Sequence, residues 1–255
     1  MTTPLLQIDG LTKRFGGVIA SDTITLDIPA GEFHAVIGPN GAGKTTLTGL
    51  LAGEIEPDSG RVHFDGRDIT ALSVDRRSQL GLARSFQITS LFHDFTALDN
   101  VALAVQAHSG HSFRFWHYAQ RDPRLREPAQ AALNRVGLGA RAQMRVDALS
   151  HGEHRQLEIA MALATQPRLL LLDEPMAGMG ADESARMVAM LRALKGDVTV
   201  VLIEHDMEAV FALADRITVL VYGRVIATGE PKGIRANAEV RQAYLGERSE
   251  DAGDA

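Results

Sequence analysis

The sequence predicts an α/β domain built on a largely parallel sheet. A β-rich run at residues 32–38 leads directly into a glycine-rich loop that opens a helix. From residue 169 to residue 223, apolar β-rich runs alternate with helical ones. This alternation is typical of parallel strands joined by helices that cover the faces of the sheet. A chain of 255 residues can bury a sizeable core, and its length fits one such domain with insertions as well as two small domains.

The individual elements follow from local patterns along the chain. Short β-rich runs at residues 5–11 and 23–28 precede the run that enters the glycine-rich loop. The helix after the loop is expected to end at Gly53, where the turn PDSG leads into the strand RVHFDG. Later expected elements are a short strand ending at Gln87, a helix at 97–107, a strand at 169–172, a helix at 184–195, and strands at 198–203 and 216–223.

Composition restricts the possible functions. Hydrophobic residues make up 45% of the chain, but the apolar runs are far shorter than the ~20 residues of a membrane-spanning helix. The first residues lack the basic and long apolar stretches of a secretory signal. The absence of cysteine excludes disulfides and fits a reducing cytoplasm. The formal charge of -6 argues against a nonspecific nucleic-acid coat, because phosphate contacts need clustered Lys and Arg, and it leaves room for a local basic patch.

One nucleotide-binding domain with an inserted helical subdomain is the expected organisation. The expected boundaries are 1–245 for the domain, about 1–87 and 167–230 for its core, about 88–166 for the helical subdomain, and 246–255 for an acidic, flexible tail. Residues 108–128 are rich in His, Arg and aromatic side chains but lack the signature of a nucleic-acid-binding module. A surface helical excursion is therefore favoured there over a nucleic-acid site.

The glycine-rich loop has the pattern G-x-x-x-x-G-K-T between a strand and a helix, so phosphate binding is favoured over a simple connecting turn. Loop N–H groups and the helix N-terminus face phosphate oxygens, and Lys44 adds charge near the β and γ phosphates. The Thr45 hydroxyl can bind Mg²⁺, and Thr46 is expected to contact the α phosphate. The candidate residues are Gly38, Pro39, Asn40, Gly41, Ala42, Gly43, Lys44, Thr45 and Thr46. No N-K-x-D tetrapeptide that reads guanine occurs, so ATP is expected rather than GTP.

Two acids follow the aliphatic run at residues 169–172, which predicts a strand buried on both faces. Ligands gather at the carboxyl ends of such strands. Asp173 is positioned to hold Mg²⁺, and Glu174 can polarise the attacking water as a general base. The alternative is that both acids only cap the following helix.

Three further candidates are weaker when each is taken alone. His205 follows an apolar strand and could contact the γ phosphate, although a surface or packing role is the simpler alternative. Gln87 ends a short strand, where its amide could sense Mg²⁺ and water. Phe15 could stack on the adenine ring through its π face, or it could be a core phenylalanine at a strand end.

The order GPNGAGKT, Gln87, LSHGE, LLLLDEP and His205 resembles the ATP-binding subunit of ABC transporters over nearly the whole chain. The most specific element is LSHGE, in which Ser150 and the Gly152 backbone lie at a helix N-terminus and can bind a γ phosphate. In this family that phosphate belongs to the partner subunit. The resemblance implies an ABC-type P-loop NTPase fold with an N-terminal antiparallel β subdomain and an inserted helical subdomain.

The resemblance also implies partners and a mechanism. Two nucleotide-binding subunits would close head to tail on two ATP molecules, each with Mg²⁺, and separate after hydrolysis. The second subunit would be a paralogue or a second copy. Two membrane permeases, and indirectly a substrate-binding protein, would complete the system, which places this chain on the cytoplasmic face of the membrane as a peripheral subunit.

Several positions depart from the usual family pattern. The signature is usually LSGGQ, but His151 replaces a glycine and Glu153 replaces the glutamine. The loop after the two acids ends in Gly180, where many members carry an aspartate. A contact across the dimer that needs this carboxylate is therefore in doubt.

Within the family, several segments are similar to importers of branched-chain or hydrophobic amino acids. These segments are the loop after the acids, SFQITSLFHDFTALDNV, the aromatic and basic insertion, and the ending AYLGE. Urea and amide importers share much of this pattern. Lipopolysaccharide-type export ATPases and soluble ABC ATPases of iron-sulfur assembly are the remaining alternatives.

Overall fold

A computed structural model describes residues 3–85, 91–109 and 122–243 of the chain. The strands are β1 Leu6–Phe15, β2 Val18–Ile28, β3 Phe33–Ile37, β4 Ser59–Phe64, β5 Arg67–Asp68, β6 Leu82–Arg84, β7 Leu169–Asp173, β8 Thr199–Ile203, β9 Arg216–Val221 and β10 Arg224–Gly229. The helices are α1 Lys44–Ala52, α2 Val74–Gln79, α3 Ala97–His108, α4 Pro123–Arg135, α5 His151–Ala164, α6 Ala181–Arg192, α7 Met207–Leu213 and α8 Pro231–Ala236.

Within the described residues, the larger sheet has six strands in the order β10-β9-β3-β8-β7-β6. Its five strands from β9 to β6 pair in parallel, and β10 joins β9 as an antiparallel hairpin. Every residue of β3, β7 and β8 is buried, as expected for parallel strands covered on both faces. The prediction of an α/β fold with a largely parallel sheet is confirmed.

Side-chain alternation along β7 and β8 divides the core into two layers. Leu169, Leu171, Val201 and Ile203 pack with α1 and the smaller sheet, while Leu170, Leu172, Val200 and Leu202 pack with helices on the other face. This follows from the period of two in a strand, which sends successive side chains to opposite faces. Asp173 therefore belongs to the face that packs against α1.

The smaller sheet is antiparallel, with strand order β2-β1-β4-β5. Its hairpin is longer than the sequence predicted, because β1 continues to Phe15 and β2 begins at Val18. Gly16 adopts a left-handed backbone at the turn. The added residues are mostly polar or exposed, which hid the alternation expected of a strand.

In the described parts of the segment between β6 and β7, the chain forms three α-helices and two short 3-10 helices, Gly139–Arg141 and Val146–Ala148. Helices α3, α4 and α5 pack against one another, and their apolar side chains join the core layer that contains Leu170 and Leu172.

Some element bounds differ from expectation: α6 begins at Ala181 rather than residue 184, and β6 ends at Arg84 rather than at Gln87. Among the described residues, no helix is long and apolar enough to cross a membrane.

A buried arginine fastens the end of α1. Arg77 is 1% exposed, and its guanidinium donates hydrogen bonds to the carbonyls of Leu50 and Leu51 at 2.7 Å each. It also donates to the carbonyls of Leu72 and Thr70 at 2.9 Å. Burial lowers the pKa of Arg77 to about 10, so the group remains charged at neutral pH. This charge satisfies carbonyls that a helix C-terminus leaves without partners.

We expect Arg77→Met to lower the free energy of unfolding by about 3 kcal/mol, because buried carbonyls lose a charged donor that water cannot replace. Urea unfolding followed by circular dichroism measures the change. Arg76→Met, on the exposed side of the same helix, is the matched control and should change stability by less than about 0.5 kcal/mol. Equal effects of the two substitutions would contradict the anchoring role of Arg77.

Candidate active site

Three neighbouring parallel strands end at the same edge of the large sheet. In the register of the sheet, Ile203 of β8 lies opposite both Val36 of β3 and Asp173 of β7. The glycine-rich loop follows β3, Glu174 follows Asp173 at the end of β7, and His205 lies just beyond the end of β8. Parallel pairing therefore brings together three groups of residues that the sequence separates widely.

Lys44 is the first residue of α1, and its side chain folds back over the glycine-rich loop. Its Nζ donates to the carbonyls of Gly38 at 2.6 Å and Pro39 at 2.9 Å. The ammonium group thereby lies beside the N-terminus of α1, where N–H groups and the helix dipole favour an anion. The loop can therefore exchange these carbonyl contacts of Lys44 for phosphate oxygens.

Two glycines of the loop are required by close backbone contacts. A Cβ atom at Gly43 would lie 2.1 Å from the carbonyl oxygen of Ala20, and the Gly43 φ is 98°. A Cβ atom at Gly38 would lie 2.2 Å from the carbonyl oxygen of Leu220. The loop is thus pressed against β2 and β9, and this support fixes its shape.

The other loop residues present different surfaces. Asn40 and Gly41 are exposed at the tip, Pro39 is half-buried, and Ala42 is buried. In the first turn of α1, Thr45 is exposed and Thr46 is half-buried. The outer surface of the loop is thus open to a ligand, while its inner side packs against the protein.

Asp173 is buried at the end of β7 on the face that packs against α1. Its Oδ2 accepts from Nη2 of Arg84 at 3.0 Å, and the same guanidinium pairs with Glu54. Burial raises the pKa of Asp173, while the Arg84 charge opposes that rise and favours the carboxylate. The sequence pattern did not identify Arg84 as a neighbour of Asp173.

The donor atoms at this edge fit a magnesium ion. The Thr45 hydroxyl lies in the first turn of α1, and α1 packs on the strand that carries Asp173. Hydroxyl and carboxylate oxygens are ligands that Mg²⁺ prefers, and it usually takes the remainder from water and phosphate. The third expected ligand, Gln87, lies outside the described residues.

Glu174 and His205 meet beyond the ends of β7 and β8. His205 Nδ1 lies 3.6 Å from Glu174 Oε1, and both side chains are partly exposed. Glu174 has a left-handed backbone, with φ of 47°, and its N–H donates to the Ile203 carbonyl at 2.9 Å. A carboxylate that faces solvent beside an imidazole can accept a proton from water.

The helix-capping alternative for the two acids is wrong. The following helix, α6, begins at Ala181, and its N-cap residue is Gly180. Asp173 and Glu174 therefore lie several residues before the first turn and cannot satisfy its N–H groups. Glu204, which the sequence reasoning missed, is buried beside them and accepts hydrogen bonds from the backbone of both neighbouring loops.

Ser150 is the N-cap of α5, and Gly152 is buried in its first turn. Ser150 Oγ accepts from the Glu153 N–H at 3.3 Å, and the Glu153 carboxylate accepts from the Ser150 N–H at 2.8 Å. This capping box explains glutamate at position 153, which Arg141 also contacts at 2.7 Å. The helix start borders a small cleft of about 40 Å³.

The segment between β7 and α6 lies against this helix start. His151 Nε2 is 3.4 Å from the Ala177 carbonyl. A Cβ atom at Gly152 would lie 3.1 Å from Glu183 Oε1, so α5 and α6 approach closely there. His151, one of the two residues that depart from the usual signature, therefore contacts the loop that ends in Gly180.

Phe15 lies at the tip of the β1–β2 hairpin. Its side chain is 51% exposed, and Lys13 Nζ is 5.6 Å from the ring centroid. The alternative of a core phenylalanine is therefore wrong. An exposed ring that already neighbours a cation is available for stacking on a flat ligand.

The family profile described as ABC transporter matches residues 21–177. The chain belongs to the ABC transporter ATP-binding family. A second profile, described as a branched-chain amino acid ATP-binding cassette transporter, matches residues 224–250. The expectation of an ABC-type ATPase is thereby confirmed, including its ability to bind ATP.

Relatives of known function support the same family along the full length. The high-affinity branched-chain amino acid transport ATP-binding protein BraF of Pseudomonas aeruginosa is 37% identical over 97% of this chain and 100% of its own. LivG of Escherichia coli, which has the same description, is 36% identical over 97% and 100%. Among solved structures, the ATP-binding cassette MJ1267 superposes with a TM-score of 0.85 at 27% identity and covers 95% of this chain and 99% of its own.

We expect Gly43→Ala to abolish ATP binding by the ABC ATPase, because the new Cβ atom would displace the loop backbone from Ala20. Calorimetric titration with ATP measures the loss. Gly233→Ala is the matched control, since a Cβ atom there meets nothing within 4 Å and should leave affinity unchanged. Normal ATP affinity in Gly43→Ala would show that the loop does not need its observed shape.

Proposed function

We propose that this chain is the energy-coupling ATPase of an importer for branched-chain amino acids. The observation that carries the proposal is full-length similarity to BraF and LivG, together with the C-terminal match to the branched-chain profile. The sheet-edge geometry supports the hydrolytic part. Cargo selectivity would reside in the permeases and the binding protein, so this chain supplies the energy for the transport step.

In this proposal the phosphates of ATP bind to the N-terminus of α1 and to the loop N–H groups. Lys44 contacts the β and γ phosphates, and Thr46 contacts the α phosphate. Thr45, Asp173 and Gln87 would hold Mg²⁺, which would neutralise part of the phosphate charge. These residues orient the γ phosphate without forming a covalent bond to it.

Glu174 is the proposed general base for the attacking water. It removes the proton as the oxygen attacks the γ phosphorus and the bond to the β-bridging oxygen breaks, which yields ADP and phosphate. His205, 3.6 Å from Glu174, would contact the γ phosphate and orient the water. Gln87 would sense the same water through its uncharged amide.

Ser150 and the backbone of Gly152 form what we call the Ser150 half-site. This half-site is proposed to bind the ATP of a second ABC subunit. Ser150 is exposed at the N-terminus of α5, where its hydroxyl and the N–H of Gly152 can meet an anion. MJ0796, which has a TM-score of 0.74 and 26% identity and covers 89% of this chain and 98% of its own, is described as dimeric with ADP and phosphate. A head-to-tail pair, with a paralogue or a second copy, would complete both ATP sites.

Two permeases are the proposed membrane partners, and the docking surface is a groove of about 380 Å³ beside β6. Its wall is mainly apolar, with Leu82, Ala104 and Met161, and it carries the carboxylates of Glu54 and Glu158. A short amphipathic helix from a permease fits such a groove. The chain would then act at the cytoplasmic face of the membrane as a peripheral subunit, with a substrate-binding protein on the opposite side.

Glu174→Gln should bind ATP with unchanged affinity but lose most of its turnover, because the glycine-rich loop that binds the phosphates is unchanged while the base is removed. It should also accumulate an ATP-bound dimer. Steady-state phosphate release and analytical ultracentrifugation measure these effects. Wild-type turnover in this variant would rule out Glu174 as the base.

Lys44→Ala should instead weaken ATP binding itself, because the point charge at the β and γ phosphates is lost. Titration calorimetry provides the measurement. Unchanged affinity for ATP would contradict the role of Lys44 in the loop.

Phe15→Ala should lower ATP affinity at least about fivefold, since stacking of a base on an aromatic ring contributes roughly 1–3 kcal/mol. Triphosphate alone should bind equally to the variant and the unchanged chain. Phe92→Ala removes another exposed ring and is the control. Equal ATP affinity in the two variants and the unchanged chain would show that Phe15 does not stack on adenine.

Purification of the tagged chain from a detergent extract of its source tests the transport proposal. Co-purification of two multi-spanning permeases and a second ABC ATPase is the expected result. Recovery of soluble iron-sulfur assembly factors alone would contradict it. Binding of leucine, isoleucine or valine by the associated substrate-binding protein would support branched-chain amino acids as the cargo. Binding of urea or short amides would instead show that those compounds are the cargo.

A further inference from the structure

Glu204 is a buried carboxylate between the last residue of β8 and His205. It is 1% exposed. Its Oε1 accepts from the Met176 N–H at 3.1 Å, and its Oε2 accepts from the N–H groups of His205 at 2.8 Å and Asp206 at 3.1 Å. One side chain thus binds the backbone of the segment after Glu174 and the backbone that carries His205.

The donors that surround Glu204 require acceptors at both of its terminal oxygens. A carboxylate supplies lone pairs at each oxygen, whereas the amide of glutamine would turn its NH₂ group toward at least one N–H. Such a donor–donor contact would displace one of the two loops. Position 204 therefore requires a charged carboxylate, and a neutral side chain of the same size cannot replace it.

The backbone at Glu174 is held on both sides. Its own N–H bonds to the Ile203 carbonyl at 2.9 Å, and two residues later the Met176 N–H bonds to Glu204. Between these bonds Glu174 adopts φ of 47°, a conformation that persists only where surrounding contacts impose it. The bonds to Glu204 supply part of that constraint.

We propose that Glu204 is a positioning residue that fixes Glu174 and His205 relative to each other for hydrolysis. This inference rests on the proposed roles of those two residues. Glu204 joins the two loops directly, so loss of either set of its bonds changes the separation of the Glu174 carboxylate and the His205 ring. The expected effect falls on turnover, while the phosphate cradle on α1 is left intact.

The test compares Glu204→Gln with the unchanged chain in ATP affinity, turnover and urea stability. Affinity should stay within about twofold, and turnover should fall roughly 10- to 100-fold, as expected when a reacting group is displaced by about 1 Å. Glu32→Gln is the matched control. Its carboxylate lies 2.6 Å from His34 Nδ1, at the opposite end of β3 from the loop, and turnover should be unchanged there.

A double variant separates positioning from a general loss of structure. Under single-turnover conditions with labelled ATP, adding Glu204→Gln to Glu174→Gln should reduce residual hydrolysis much less than the roughly 10- to 100-fold loss of the single variant, because the base is already absent and only the contribution of His205 remains to be lost. Full additivity of the two losses, or wild-type turnover in Glu204→Gln, would overturn the proposal. If Glu174→Gln itself keeps wild-type turnover, the proposed function of Glu174 fails instead.

Discussion

The parallel pairing of β3 with β8, and of β8 with β7, is the constraint on which the site depends. It aligns Val36, Ile203 and Asp173 in one register, so that the segments leaving all three strands emerge at one edge. A slip by one residue would turn the side chains of a strand to the opposite face and carry Asp173 away from α1. Because these strands are buried on both faces, such a slip would also disturb both layers of the core.

Buried charges hold the loops at this edge in place. Arg84 balances Asp173 and Glu54, and Glu204 joins the segments beyond β7 and β8. Each of these groups has hydrogen-bond partners, which is the condition under which a buried charge is tolerated. The apolar core therefore fixes the strands, and the buried ions hold the segments that follow them at this edge of the sheet.

The sequence predicted the parts of this arrangement that depend on local patterns. The phosphate loop, the strand before Asp173 and the start of α5 at Ser150 follow from residues adjacent in the chain. The ion pair of Arg84 with Asp173 spans 89 residues, and the bond from Met176 to Glu204 spans 28, so neither has a local signature. The length of the first hairpin was also missed, because its outer residues face solvent and lack an apolar face.

A crystal structure of the chain with its ABC partner, Mg²⁺ and a non-hydrolysable ATP analogue would show directly which residues bind the phosphates. We expect Lys44 Nζ to leave the carbonyls of Gly38 and Pro39 for phosphate oxygens. We also expect the γ phosphate to contact the N-terminus of α5 in the other subunit, at its copy of Ser150 and Gly152. An analogue bound in the groove beside Met161, or phosphates away from the N-terminus of α1, would contradict the proposed ATP site.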